Sequence, residues 1–287
     1  MPAPPLKPHS GLRTQDSGLI APYAVIVALE EELRHLRAAL PAPREEWHAG
    51  RRYEVTALGD HPLILTRCGI GMIGAAAVTE ATIGRWQPAA LLNYGCTGAH
   101  RPDLLPGDLV IGARVVAYDN VNVAPDGAEQ YMRMRYLRRD EQARADYLAA
   151  DPTLLAAAER AAERLVDGHE VWPAHLGWPP GVPHRAPRHV AGTVASADRW
   201  NRSATRIAAL VAAHDTHCED MEAAAIALVC ASHDVPFLTI KDISNNELLH
   251  LTDSVSFDRL HAELGRRAAA LLLATLRDLA GAAAARD

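Results

Sequence analysis

The 287-residue sequence has few cysteines, only two lysines, only two phenylalanines and no long apolar run. Its four cysteines, Cys68, Cys96, Cys218 and Cys230, form no CxxC pair and lie in segments that read as core or motif. That pattern argues against a disulfide framework and for a reducing, cytoplasmic setting. No stretch approaches the roughly 20 uninterrupted apolar residues of a membrane span, since the Ala- and Leu-rich segment from Arg267 is broken by Arg277 and Asp278. The N-terminal MPAPPLKPHSGLRTQDSGLIAP lacks the apolar core of a signal peptide and reads as a flexible leader. A basic excess is missing too. Lys and Arg total 29 against 35 Asp and Glu, a net charge of -6, so nucleic-acid phosphates find no electrostatic footprint. There is no internal repeat, P-loop or HExxH motif, and the turn Gly69-Ile70-Gly71 lacks the third glycine and the acidic residue of a dinucleotide fingerprint. His214 and His217 beside Cys218 are unevenly spaced for metal ligands and read as surface histidines, so neither a metal nor an organic cofactor is expected.

What is present describes a soluble globular chain, 49% hydrophobic and 22% charged. Tyr23 to Ala28 is a continuous apolar run suited to a strand buried on both faces. Glu30 to Leu40 follows at helical period, its acidic first turn complementing the helix dipole. Arg52 to Ala57 and Pro62 to Thr66 predict a strand pair, and an Ala-rich helix ends near Trp86. Ala89 to Tyr94 predicts a buried strand ending in the turn Gly95-Cys96-Thr97-Gly98, and Asp108 to Tyr118 another strand. Helices are expected near Arg139 to Ala149 and over Pro152 to Val166, then an irregular Trp- and Pro-rich loop to His189. Val190 to Ala195 and Val235 to Ile240 read as strands, Met221 to Ser232 and Phe257 to Leu279 as helices. Alternating strands and helices predict an α/β fold with functional loops at the carboxyl ends of strands. The expected organisation is a leader over 1–22, one domain over 23–280 with an insertion at about 120–190, and a tail over 281–287.

Four segments at strand ends carry unusual polar groups: Glu30 to Glu32, Gly95 to Gly98, Asp220-Met221-Glu222 and Ser244-Asn245. Taken singly, each has a structural account: a dipole complement, a tight turn, a helix cap. Together with VALEEEL, RCGIGMIGAAA, LLNYGCTGA followed by LPGDLVI, GTVASADRW, EDMEAAAIALVC with VPF, and ISN followed by SFD, they form an ordered set from Tyr23 to Phe257. This set resembles the 5'-methylthioadenosine/S-adenosylhomocysteine nucleosidases within the purine nucleoside phosphorylase superfamily. The resemblance implies a single α/β domain of three layers with a mixed central sheet flanked by helices. It also implies a homodimer that hydrolyses a purine N-ribosidic bond, releasing free base from a 5'-modified nucleoside such as methylthioadenosine or S-adenosylhomocysteine.

On that resemblance Glu32 matches the general base, and a carboxylate suits the task because attacking water needs a proton acceptor within hydrogen-bond reach. Glu222, beside Met221, matches the residue that holds the ribose hydroxyls. Trp200 falls where an aromatic ring lies against the purine, and Asn201 where backbone groups meet the base edge. Cys96, Thr97 and Gly98 are expected to form the turn beneath sugar and base, Ser244 to accompany Asn245, and Phe257 to close the 5' side. One departure stands out. Where the nucleosidases have Ser-Asp, with the aspartic acid protonating N7 of the leaving base, this chain has Ser244-Asn245. An amide cannot deliver a proton, and general acid catalysis contributes about a hundred- to ten-thousand-fold. An Asn can still donate to N7, and it suits hypoxanthine or guanine as well as adenine. The ISN segment also looks like that of futalosine hydrolases and of 6-oxopurine phosphorylases. Asp242 is expected to face away from Asn245 along the strand. Leu29-Glu30-Glu31 and Asn93 stand where phosphorylases carry phosphate-binding groups, so water is the expected nucleophile. A 6-oxopurine nucleosidase, a phosphorylase with an anion site at Arg67 or Lys241, and a nucleoside-binding protein with little turnover stand as alternatives. Met132, Met134 and Tyr136 read either as an apolar lid or as helix packing.

Overall fold

The computed structural model describes residues 20–166, 185–250, 263 and 265–284. In chain order its first half comprises β1 (Tyr23–Val27), α1 (Glu30–Ala38), β2 (Arg44–His48), β3 (Arg51–Leu58), β4 (His61–Arg67), α2 (Met72–Trp86), β5 (Ala90–Ala99) and β6 (Leu109–Ala117). The expected insertion supplies β7 (Val121–Val123), β8 (Glu129–Tyr131), β9 (Met134–Arg138), β10 (Glu141–Ala145), β11 (Leu148–Ala149) and α3 (Pro152–Val166). Then follow β12 (His189–Ser196), α4 (Ala204–His214), β13 (Thr216–Asp220), α5 (Ala223–Ser232), β14 (Phe237–Asn245) and α6 (Arg266–Ala284).

Ten strands form one mixed sheet in the order β11-β6-β12-β13-β5-β1-β4-β3-β2, with β14 inserted between β5 and β6. The pairings β5–β14–β6–β12–β13–β5 close a ring, and β1 is buried along its whole length because helices cover both faces of the sheet. One face is covered by α1, α3 and α6, packed through Leu33, Leu36, Leu154, Leu272 and Leu276 against Val25, Leu92 and Ile240. The other is covered by α2 and α5, whose Val78, Ile83, Ala224 and Ile226 meet Ile26, Leu91 and Val110. This is the expected three-layer α/β arrangement. No helix among the described residues is long and apolar enough to cross a membrane.

Two expectations need correction. Gly95 to Gly98 is not a turn: β5 runs on to Ala99, because Gly95 to Gly98 pair with β14 on one side while Gly98 and Ala99 pair with β13 on the other. Arg139 to Ala149 is not a helix despite its helix-forming Ala, Glu, Gln and Arg. Arg139 and Asp140 both have positive φ (52° and 65°), forming a two-residue hairpin turn between β9 and β10 whose twist matches that of the strands. Tertiary anchors override propensity here, since Met134 is buried in the core and Arg138 and Arg139 both pair with Asp234. Met134 and Tyr136 therefore pack against the core, and only Met132 is exposed. β2, α4 and β13 carry no signal that the sequence reading recognised.

Candidate active site

The first strand ends at Val27 and α1 starts at Glu30, so the two-residue link points the first helical turn at the carboxyl end of the sheet. Glu32 is buried there, 2% exposed. Its Oε2 accepts from the Ala28 and Leu29 N–H groups at 3.2 and 3.0 Å, and its Oε1 accepts from the Cys96 N–H at 2.9 Å. A carboxylate offers about four lone-pair directions, so a single one, on Oε1, is left for a substrate or water. Gly95 makes the approach possible: a Cβ there would lie 2.5 Å from Glu32 Oε1. Burial raises the Glu32 pKa, opposed by the Cys96 N–H and the charge of Lys241.

The second carboxylate, Glu222, precedes α5 and accepts from the Gly71 N–H at 2.9 Å. Burial and the neighbouring Asp220 push it up to about 7. Asp220 accepts from Ser196 Oγ and from the Ala223 N–H, so the expected cap on this helix is present. Lys241 on β14 is fully enclosed and donates to Asn93 Oδ1 at 2.8 Å and to Asp220 Oδ2 at 2.7 Å. Burial disfavours its charge, but Asp220, Glu222 and Glu32 outweigh that and hold its pKa above the usual lysine range. Asn93 Nδ2 donates to the Ile26 carbonyl, locking β5 to β1 beneath this network. The sequence offers Lys241 as one of two lysines and as a candidate anion-site cation, not as the counter-ion of buried carboxylates.

At the end of β14, Ser244 Oγ donates to Asn245 Oδ1 at 2.9 Å and lies 3.2 Å from the Thr97 carbonyl. That contact turns Asn245 Nδ2 inward, where it is buried without a protein partner. Nδ2 lies 3.3 Å from the Cβ position of Gly98, so the glycine leaves room beside the amide. Asp242 faces the other side as expected: its Oδ2 accepts from the Arg267 N–H at 3.0 Å, capping α6, and burial raises its pKa to about 6.

Across the ring, Trp200 lies just after β12 and is 51% exposed. Asn201 donates its backbone N–H to Glu219 Oε1 at 2.6 Å and its Nδ2 to Tyr118 OH at 2.7 Å. Glu219, a carboxylate unremarked in the sequence reading, also accepts from Tyr118 OH at 3.2 Å and lies 3.4 Å from His100 Nε2. Thr97 Oγ1 donates to the Glu219 carbonyl. Cys96 has its thiol pKa raised by burial and by Glu32, which makes it an inert wall residue. Met221 lies partly exposed between Asp220 and Glu222. Phe257 lies outside the described residues.

Arg67 pairs with Glu30 at 3.2 Å and Lys241 with Asp220, so both cations suggested for an anion site are already engaged by carboxylates. Among the described residues no group of three or more His, Cys, Asp or Glu could hold a metal ion. His214 is buried rather than on the surface, its ring 4.8 Å from that of Tyr131, because α4 packs it under the β7–β8 hairpin; His217 and Cys218 lie on β13.

The chain matches the model of the phosphorylase superfamily over residues 22–277. It is 30% identical over 257 residues to the 5'-methylthioadenosine/S-adenosylhomocysteine nucleosidase of Shewanella pealeana, covering 89% of this chain and 98% of that protein. It superposes on the S. pneumoniae 5'-methylthioadenosine/S-adenosylhomocysteine nucleosidase, solved with a transition-state inhibitor, with a TM-score of 0.70 and 26% identity over 90% of this chain and 99% of that one. The fold is shared also with the futalosine hydrolase of Helicobacter pylori, at a TM-score of 0.72 and 19% identity over 90% and 98% of the two chains.

Proposed function

The chain belongs to the phosphorylase superfamily and, within it, to the 5'-methylthioadenosine/S-adenosylhomocysteine nucleosidases, and from this we propose that it is a purine nucleoside N-ribohydrolase acting on a 5'-modified nucleoside such as methylthioadenosine or S-adenosylhomocysteine. Glu32 takes a proton from water as the water oxygen bonds to C1' of the ribose. The N9–C1' bond breaks and its electron pair leaves with the base, whose N7 receives the Asn245 Nδ2 hydrogen bond. Glu222 accepts from the ribose hydroxyls, and its charge together with that of Glu32 favours the cationic sugar of the transition state. Cys96, Thr97 and Gly98 line the floor beneath sugar and base, and Trp200 and Asn201 the base side with Met221 and Ser244 next to them; Phe257, the candidate for the 5' side, lies outside the described residues.

The observation that carries the reading is the Glu32 carboxylate, buried, fixed by three backbone N–H groups and left with one acceptor direction. A second reading, hydrolysis of a 6-oxopurine nucleoside, is favoured by the orphaned Asn245 Nδ2, a donor suited to O6 as well as N7. Incubation with methylthioadenosine, adenosylhomocysteine, inosine and futalosine, with free base as readout, tests both. Glu32→Gln is expected to lower kcat at least a hundredfold on every active substrate; equal rates would remove Glu32 from the mechanism. Strict phosphate dependence would instead make the protein a phosphorylase, and tight binding without base release a nucleoside-binding protein.

We place the protein in the cytoplasm as a homodimer. Support for the compartment is the set of four free cysteines. Support for the dimer is Ile70 and Ile73, 63% and 83% exposed beside Gly71, an apolar pair at the site's mouth that a second copy would cover. Sedimentation at twice 31.0 kDa is the expected result.

A further inference from the structure

We propose that the cavity between the β7–β8 hairpin and α4 is a second small-molecule site, fitted to an arylalkylamine: a flat aromatic body that carries an ammonium group. The proposal is independent of the nucleosidase reading.

The cavity arises where the insertion meets the sheet. β7 and β8 pair only with each other, and a lone hairpin of three-residue strands is marginal by itself. It is seated on a third apolar cluster, separate from the two main cores, in which Val116, Tyr118, Ala195, Ala197 and Leu210 are buried and Tyr131 and Tyr147 pack against them. The seating is incomplete. Between hairpin and helix it leaves a cavity of about 430 Å³, within the size range of small-molecule sites and far larger than the voids of a packed interior.

Tyr118, Tyr131 and Tyr147 line this cavity, and each is fixed through its hydroxyl. Tyr118 OH donates to Glu219 Oε2 at 3.2 Å, Tyr131 OH donates to the Asp146 carbonyl at 3.1 Å, and Tyr147 OH lies 3.4 Å from His214 Nδ1. With the hydroxyls turned to protein, the rings leave mainly carbon for the cavity. Such a wall is already ordered, so a ligand does not have to order it. Burial raises the pKa of Tyr118 and pushes that of Tyr131 up to about 12, so both phenols stay neutral. Burial lowers the pKa of His214, which also lines the cavity, so its imidazole is uncharged at neutral pH.

The charges at the lining set the sign of the ligand. Glu129 and Asp146 face a single cation there, Arg206. Arg206 is committed to Glu129 Oε2 at 2.6 Å, and Asp146 Oδ1 meets Arg133, outside the lining, at 3.0 Å. A carboxylate has about four acceptor directions, so both can still accept from an ammonium, whereas an anion would have to draw Arg206 away from Glu129. The rings add to the preference, since aromatic faces attract cations. Arg114, also outside the lining, shows this: its guanidinium carbon stands 4.1 Å from the Tyr147 ring centroid. Val121, Ala209 and Ala213 supply the apolar remainder against which an aromatic body can lie.

The test is calorimetric titration of the full chain with tryptamine, tryptophol and indole-3-acetate, which share an indole and end in an ammonium, a hydroxyl and a carboxylate. Tryptamine is expected to bind once per chain at millimolar concentration or below. Tryptophol is expected to bind at least about tenfold more weakly, the scale of a charge-assisted hydrogen bond with a cation–π contact, and indole-3-acetate not measurably. Ala209→Trp places a ring in the cavity from an exposed position on α4 and is expected to abolish tryptamine binding while the melting temperature is kept; Ala213→Trp serves the same end if the first variant does not fold. Equal affinities for amine and alcohol, tighter binding of the acid, or no binding of any of the three overturns the proposal. Tryptamine binding that survives both substitutions lies elsewhere on the protein and overturns it as well. Self-association that Ala209→Trp abolishes, in place of amine binding, would make a second copy of the chain the occupant and equally overturn it.

Discussion

Replacing Asn245 by Asp separates recognition of the leaving base from its protonation. Asn245 Oδ1 accepts from Ser244 Oγ at 2.9 Å, and the substitution keeps that oxygen and its bond. The atom exchanged is Nδ2, which is buried and has no protein partner. A carboxyl there is desolvated, which disfavours ionisation. The new acid therefore holds its proton at neutral pH, aimed along the direction Nδ2 now takes. It can transfer that proton to N7, which an amide cannot. General acid catalysis is worth about a hundred- to ten-thousand-fold, or roughly 3 to 5 kcal/mol of barrier. The expected outcome is a rise of that size in kcat/KM for methylthioadenosine, whose base leaves poorly unprotonated. For inosine, where charge on the departing base spreads to O6, the gain is expected to stay below about tenfold because a donor to O6 is lost. The gain should also vanish at alkaline pH, since only the protonated carboxyl acts. The assay is steady-state release of free base from each nucleoside between pH 5 and 9, with thermal denaturation to establish that the variant is folded. A folded variant with no gain on methylthioadenosine, or with equal gains on both nucleosides, refutes the reasoning.

Gly95→Ala should displace Glu32, because the added Cβ would stand 2.5 Å from Oε1; kcat is expected to fall about a hundredfold or more with a modest change in KM, and unchanged kcat would show that the carboxylate position is not critical. In its proposed role of holding the ribose, Glu222 must be ionised to accept from two hydroxyls, and burial with the neighbouring Asp220 pushes its pKa up to about 7. kcat/KM is therefore expected to rise with pH through about 7, and Glu222→Gln to abolish that limb at a lower plateau. Stability runs the opposite way. The folded pKa lies above the ordinary 4.5, so the contribution of Glu222 is complete below about 4.5 and is lost as pH rises through about 7. Denaturant midpoints measured from pH 4 to 8 should decline more steeply in wild type than in Glu222→Gln, and parallel curves would contradict the assignment.

The elements best read from sequence are those whose local pattern and tertiary setting agree. β1, α2 and the start of β14 up to Ile240 are apolar or Ala-rich runs, and burial selects for just that composition, whereas the polar second half of β14 from Lys241 to Asn245 is not expected to continue the strand. Arg139 to Ala149 misled because its residues favour helix while Met134 and the Arg pair on Asp234 hold it as a hairpin. The turn expected at Gly95 is a strand because pairing partners arrive from more than a hundred residues away, which no local window contains. Within the site, Glu32, Glu222 and Asn245 come from motifs that the family resemblance supplies. Tyr118 and His100 belong to no such motif, and Glu219 opens the EDMEAAAIALVC segment without a role assigned to it there. They meet only because β5, β6 and β13 belong to one closed ring.

The electrostatics of that ring bear on the nucleophile. Glu32, Asp220 and Glu222 act on the enclosed cation Lys241, so with all four ionised the cluster is net negative by two charges. Lys241 cannot serve a phosphate without abandoning Asp220 and Asn93, and leaving one partner of a buried pair uncompensated costs about 3 to 5 kcal/mol. An incoming dianion would also meet the Glu32 and Glu222 carboxylates at short range. Neutral water meets neither obstacle. The same negative field that disfavours phosphate stabilises the positive charge that, on the proposed mechanism, develops on the ribose as the base departs, so ground-state exclusion and transition-state stabilisation arise from one set of side chains. Protonation of Glu222 near neutral pH moderates the field without removing it, since Glu32 and Asp220 are each tied electrostatically to the ammonium. Lys241 thus acts as the counter-ion that lets three carboxylates be buried together, and a residue expected at most to bind an anion becomes the charge on which the geometry of the site depends.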